Sequence, residues 1–108
     1  MTDPRDAAII DQSADFIAHH EGVYYHAYPD PASSLGLALG NAGIGRIGRG
    51  GQIPPQHAHL KGDPWTIGYG QTGHGIRFGT VWTEQQARDA LMRECSQRWA
   101  AIQKLISA

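Results

Sequence analysis

Two carboxylates stand at either end of EGVYYHAYPD: Glu21, where a helical pattern stops against Gly22, and Asp30, in a turn flanked by Pro29 and Pro31. The C-terminal end of a helix is the negative end of its macrodipole, so a carboxyl placed there is discouraged from ionising, and partial burial would add to the effect. Helices ordinarily put Lys or Arg at that end, and residues that work against local stability concentrate at functional sites. Taken alone, Glu21 is also an ordinary exposed acid at a helix end, and Asp30 a routine turn residue. Taken together, separated by a helix end, one short strand and a turn, the two can face each other across one groove. Glycoside hydrolysis uses such a pair: a protonated acid for the leaving oxygen and an ionised carboxylate on the other side of the sugar ring.

A third chemical element lies in WTIGYG, residues 65–70. In a strand, Thr66, Gly68 and Gly70 share one face and Ile67 and Tyr69 the other. One face then packs inward, while the other offers a hydroxyl able to hold a water and bare backbone that a polymeric ligand can approach closely. Tyr28, Gly68, Gly70, Gln71 and Thr72 are the candidate substrate contacts on this reading. A weak edge strand with glycines at bulges is the plain structural alternative.

These residues need scaffolding, and the rest of the chain is patterned to provide it. Asp6 to Glu21 repeats Ala7, Ile10, Ala14 and Ile17 at three- and four-residue spacing, which predicts a helix that Gly22 terminates. VYYHAY, residues 23–28, predicts a strand ending at Pro29. From Pro31 to Pro64 the composition turns to Gly, Ala and Pro, predicting a partly ordered loop with a short helical turn at SSLGLAL. Thr83 and Gln86 form a capping box, so a long helix starts there. Its apolar stripe runs through Ala87, Leu91, Cys95, Trp99, Ile102 and Ile106, with Ala90 and Leu105 alongside. The expected architecture is a single α+β lobe over residues 1–108: a first helix, a small antiparallel sheet, and a long final helix, with an insertion at 31–64.

Bulk properties narrow the function. At 108 residues the chain can build one core, and a net charge of −1 with pI near 6.6 gives no electrostatic reason to expect nucleic acid or an anionic membrane as a partner. The charge is uneven, with six acids against one base in residues 1–30. The lone Cys95 cannot form an internal disulfide and reads as a small buried apolar residue. GIGRIG, residues 43–48, matches a dinucleotide-loop pattern, but Gly50, Gly51 and the Pro54–Pro55 pair follow it, so no helix starts there to receive phosphates. Six histidines lack metal-site spacing: His19 and His20 are neighbours on a helix and point apart, and His57, His59 and His74 form no recognisable cluster. No metal or cofactor is expected. No stretch reaches the ~20 apolar residues of a membrane span, and the acidic N-terminal segment is unlike a signal peptide. Synthesis in the cytoplasm is therefore expected, with delivery to any target outside left to another component.

EGVYYHAYPD, PWTIGYGQTG and the WTEQQA helix start, in that order across roughly residues 8–100, together resemble the phage-type lysozymes, the endolysins and muramidases of glycoside hydrolase family 24. The resemblance implies that Glu21 is the general acid, Asp30 the second carboxylate and Thr66 the residue that helps position the attacking water. It further implies cleavage of the β-1,4 bond between N-acetylmuramic acid and N-acetylglucosamine in peptidoglycan, usually with inversion, and hence action on the cell wall. Gln71 stands where many family members carry histidine, which keeps a hydrogen-bonding side chain without its charge. The segment between Asp30 and Thr66 is longer than in the shortest members and is expected to form a lid or an extra cleft wall. In the family the long helix leads into a second, helical lobe, whereas this sequence ends with that helix. The apolar stripe of Trp99, Ile102, Leu105 and Ile106 is accordingly expected to be partly uncovered, a site for self-association or for a partner chain. The rival expectation, drawn from the same feature, is a lysozyme-like lobe that binds glycan or protein without turnover, or that needs a partner for activity.

Overall fold

A computed structural model describes residues 3–44, 52–73 and 75–107. Most of GIGRIG, with Arg46 and Arg49, and also His74, lie outside the described residues. The elements run α1 (Pro4–Glu21), β1 (Tyr24–Tyr28), α2 (Ser34–Asn41), a 3₁₀ turn (Pro55–His57), β2 (Thr66–Gly68), β3 (Gln71–Thr72) and α3 (Glu84–Ser107). The three strands form one antiparallel sheet in the order β1-β2-β3. The α+β architecture anticipated from the sequence is the one observed.

Helix α1 begins two residues earlier than its apolar periodicity indicates. Asp3 caps it, its Oδ1 accepting the Arg5 N–H at 2.8 Å, and Pro4 occupies a first-turn position where no N–H is needed. It ends at Gly22, whose φ of 69° with ψ of 171° falls in a region essentially reserved for glycine. Helix α3 starts at the capping box: Gln86 Oε1 accepts the Thr83 N–H at 2.8 Å and Thr83 Oγ1 accepts the Gln86 N–H at 3.1 Å.

The two long helices pack antiparallel. Asp6, near the start of α1, accepts from Trp99 Nε1 at 2.9 Å and from Gln103 Nε2 at 3.2 Å, both late in α3. Asp15, near the other end of α1, meets Arg88, early in α3, at 2.7 Å. Between these ties Ile10 and Ala14 bury against Leu91 and Cys95, with Ile17, Met92, Trp99 and Tyr69 around them. Burial, with Glu94 beside it, pushes the Cys95 thiol up from its ordinary range, in keeping with a packing role. Beyond Trp99 the stripe emerges from cover as expected: Ile102, Leu105 and Ile106 are 46%, 80% and 75% exposed.

The second core belongs to the sheet and the 31–64 segment. Ala27, Leu35, Leu39, Trp65 and Ile67 are buried together, with Ile53, Leu60, Ile76 and Trp82 packed against them. The helical turn anticipated at SSLGLAL is an eight-residue helix, α2, because Ser33 Oγ caps it by accepting the Gly36 N–H at 3.0 Å while Leu35 and Leu39 gain full burial on one face. The described part of the segment thus supplies core, whereas the expectation was a lid or an extra cleft wall.

The strand expected over 65–70 is shorter. Gly68 and Gly70 have φ of 68° and 98°, which turn the chain, so pairing stops at Gly68 and resumes as β3 at Gln71. Strict alternation therefore holds for Thr66, Ile67 and Gly68 only, and Gly70 belongs to the hairpin turn.

Candidate active site

Strand β1 carries the two carboxylates beyond its two ends. Its register with β2 sets Tyr24 opposite Gly68 and Tyr28 opposite Thr66, so four residue steps on β1 face two on β2. The register shift marks a bulge in β1 between Tyr24 and Tyr28, which bends the strand locally. The displaced residues are satisfied on the opposite edge. Ala27 N–H donates to Thr80 at 3.0 Å, Trp82 N–H donates to Tyr25 at 2.9 Å, and His26 bridges to Val81. The sequence pattern contains no glycine or proline within YYHAY to announce such a bulge.

Asp30 is held by the segment that follows it. Its N–H donates to Gly62 at 2.9 Å, its carbonyl accepts from the Ser33 N–H at 2.9 Å and from Ser33 Oγ, and its Oδ1 accepts from the Ala32 N–H at 2.9 Å. Helix α2 lies so close behind it that a Cβ at Gly36 would overlap the Asp30 carbonyl oxygen. Gly62 is equally confined, since a Cβ there would fall 2.7 Å from Pro29 and 2.8 Å from the Trp65 ring. Oδ2 of Asp30 makes no hydrogen bond with a described residue. Glu21 contrasts with this. It is exposed, the last residue of α1, and its carboxylate makes no hydrogen bond or ion pair with a described residue.

Thr66 is half-buried in the middle of the sheet, paired with Tyr28 of β1 on one side and Thr72 of β3 on the other. The pairing sets Thr66 opposite Tyr28, which stands two residues before Asp30. Tyr28 is buried, its ring centroid 4.8 Å from that of Tyr24. Gly68 is pinned beneath Gln71 and Trp82: a Cβ there would approach Gln71 Oε1 to 2.6 Å and the Trp82 ring to 3.0 Å.

The hairpin also borders a cleft of about 540 Å³ between β3 and α3. Gly70, Gln71 and Thr72 line it, together with Trp82 and, from α3, Arg93 and Arg98. Glu21, Asp30, Thr66, Tyr28 and Gly68 do not, so this cleft does not bring all the candidate residues together. Pattern reading overlooked Glu94 in this region: its carboxylate accepts from Gln71 Nε2 at 2.9 Å and pairs with Arg98 one turn along the helix. The Glu94–Arg98 spacing is visible in the sequence, whereas the reach to Gln71 spans 23 positions and exists only in the fold. Among the described residues no group of three or more His, Cys, Asp or Glu side chains is arranged to hold a metal ion. No described helix is long and apolar enough to cross a membrane.

The family model for phage lysozyme matches residues 51–108, which span Thr66, the β2–β3 hairpin and all of α3, while Glu21 and Asp30 precede the matched stretch. No curated protein and no solved structure matches the chain. The matched stretch is more than half of the chain and coincides with the hairpin and helix that the structure ties together through Gln71 and Glu94, and on that match the chain belongs to the phage lysozyme family.

Proposed function

We propose that this protein hydrolyses the β-1,4 bond between N-acetylmuramic acid and N-acetylglucosamine, with Glu21 as general acid and Asp30 and Thr66 orienting the attacking water. Membership of the phage lysozyme family carries a muramidase-type glycoside hydrolase function, with peptidoglycan as the substrate class. The observation that supports the finer reading is the β1–β2 pairing, which sets Thr66 opposite Tyr28, the residue two before Asp30.

On this reading the exposed Glu21 carboxyl donates its proton to the glycosidic oxygen as the bond breaks. Asp30, its Oδ1 engaged by the turn, directs Oδ2 to a water that the Thr66 hydroxyl also holds, and that water attacks the anomeric carbon from the opposite face. Tyr28, Gly68, Gly70 and Thr72 form the wall against which the glycan lies, and Gln71, buried with both ends of its carboxamide engaged, backs that wall. The whole described chain acts as one catalytic lobe, delivered to the cell wall.

Release of reducing ends from purified peptidoglycan by the wild type, lost in Glu21→Gln while the circular dichroism spectrum is kept, is the expected result. Undiminished activity in that variant overturns the assignment. A glycan-binding role without turnover is the second reading, favoured by one observation: the 540 Å³ cleft takes in Gly70, Gln71 and Thr72 but neither Glu21 nor Asp30. Binding to sacculi by a wild type that releases no reducing ends would select it.

A further inference from the structure

Gln71 is the buried polar residue among the described residues, at 8% exposure, and both ends of its carboxamide are engaged within the protein. Oε1 accepts the Tyr69 N–H at 2.7 Å, and Nε2 donates to Glu94 Oε2 at 2.9 Å. Glu94 is steadied in turn by Arg98. The same Oε1 lies where a Gly68 side chain would have to go. One neutral side chain thus joins the hairpin turn, the strand that carries Thr66 and the long helix.

We infer that Gln71 is a positioning residue for the hydrolysis: it locks the Gly68–Gly70 turn onto α3 and so fixes the height of Thr66 in the sheet, acting through the hairpin rather than on the sugar. The inference rests on the proposed role of Thr66. Its physical content is directional. The carboxamide presents an acceptor to a backbone N–H and a donor to a carboxylate, and no charged side chain of the same shape serves both neighbours. A carboxylate there sets two like charges at hydrogen-bond distance, and an alkyl side chain leaves the Tyr69 N–H without its acceptor and Glu94 Oε2 without its amide donor.

Because the arrangement is directional it can be reversed. In Gln71→Glu combined with Glu94→Gln, the new carboxylate accepts from both Tyr69 N–H and the new amide, and the remaining amide oxygen still faces Arg98. The experiment compares wild type, Gln71→Leu, Gln71→Glu and the double variant on soluble glycan strands. Exchange protection of the Tyr69 amide and the Thr66 methyl shift are followed by NMR.

In Gln71→Leu and Gln71→Glu, kcat is expected to fall about 10- to 100-fold, the scale of a small misplacement of a catalytic group, with KM changing less than about twofold. Tyr69 protection is lost in both and the Thr66 methyl shift moves; the double variant returns all three towards wild type. A rise in KM at unchanged kcat overturns the inference, because it makes Gln71 a sugar contact. Unchanged kcat despite lost Tyr69 protection, or a double variant no better than Gln71→Glu, also overturns it. Should the wild type itself release no reducing ends, the proposed hydrolysis fails separately, and the Thr66 shift decides the clamp: moved and then restored supports it, unmoved refutes it.

Discussion

The two carboxylates of the proposed site are held in opposite ways. Asp30 is gripped by hydrogen bonds to Gly62, Ser33 and Ala32 and by the close approach of Gly36, whereas Glu21 is exposed at a helix end, its carboxylate bonded to no described residue. The difference follows from what each role demands. A group that orients a water must be fixed before substrate arrives, since a small displacement costs much of the rate. A group that hands over one proton needs reach towards the leaving oxygen, which the substrate itself helps to define. The described part of the 31–64 segment, expected as a lid or an extra cleft wall, is on this view the scaffold of the fixed carboxylate.

The sharpest test of the contrast is Asp30→Asn. Its side-chain oxygen still accepts the Ala32 N–H, so the turn survives while the charge goes. Activity in the reducing-end assay is expected to fall on the order of 100-fold, with the thermal midpoint nearly unmoved. Full activity in a folded Asp30→Asn would end the proposed role. Next in size is Gly36→Ala, which drives a methyl group into the Asp30 carbonyl. The cost is expected at about 1–3 kcal/mol in urea unfolding, accompanied by lost activity. The matching substitution at the unsupported end, His20→Ala, should leave both stability and fold intact, and equal damage from the two would erase the comparison.

A smaller effect is expected at the far end of the fold. Thr83→Ala removes one half of the capping box and should cost about 1 kcal/mol, read as a lower denaturant midpoint at constant slope. Smallest in stability is Ile106→Ser on the exposed stripe of α3, expected within about 0.5 kcal/mol of wild type. It is nevertheless expected to weaken concentration-dependent self-association in sedimentation velocity, which the exposed Ile102, Leu105 and Ile106 motivate. A wild type that stays monomeric at high concentration removes that expectation.

Much of the fold was legible because its signals are local. The capping box at Thr83 and Gln86, the stop at Gly22 and the periodicities of α1 and α3 each depend on residues within a turn or two of one another, and each reappears in the structure. The start of α1 was legible in principle, since Asp3-Pro4 is itself a capping signal, but apolar spacing alone points past it. The length of β2 is not legible in WTIGYG because a glycine in a strand pattern is compatible with both a strand and a turn, and only the positive φ at Gly68 and Gly70 distinguishes them.

Which chemistry is on offer is written in the residue order: Glu21 at a helix end, Asp30 in a turn, Thr66 in a short strand, and a hydrogen-bonding residue at Gln71. These depend on residue type and on near neighbours. Tertiary structure decided how that chemistry is held. The β1 bulge, the grip of α2 on Asp30, the use of 31–64 as core and the bond from Gln71 to Glu94 all join residues remote in sequence, through pairing registers and close approaches that no local preference encodes. Such contacts form only when the whole chain has found the arrangement that buries Ile67, Leu35 and Leu91 together with their neighbours, because that burial, rather than any short-range signal, sets the distances between them.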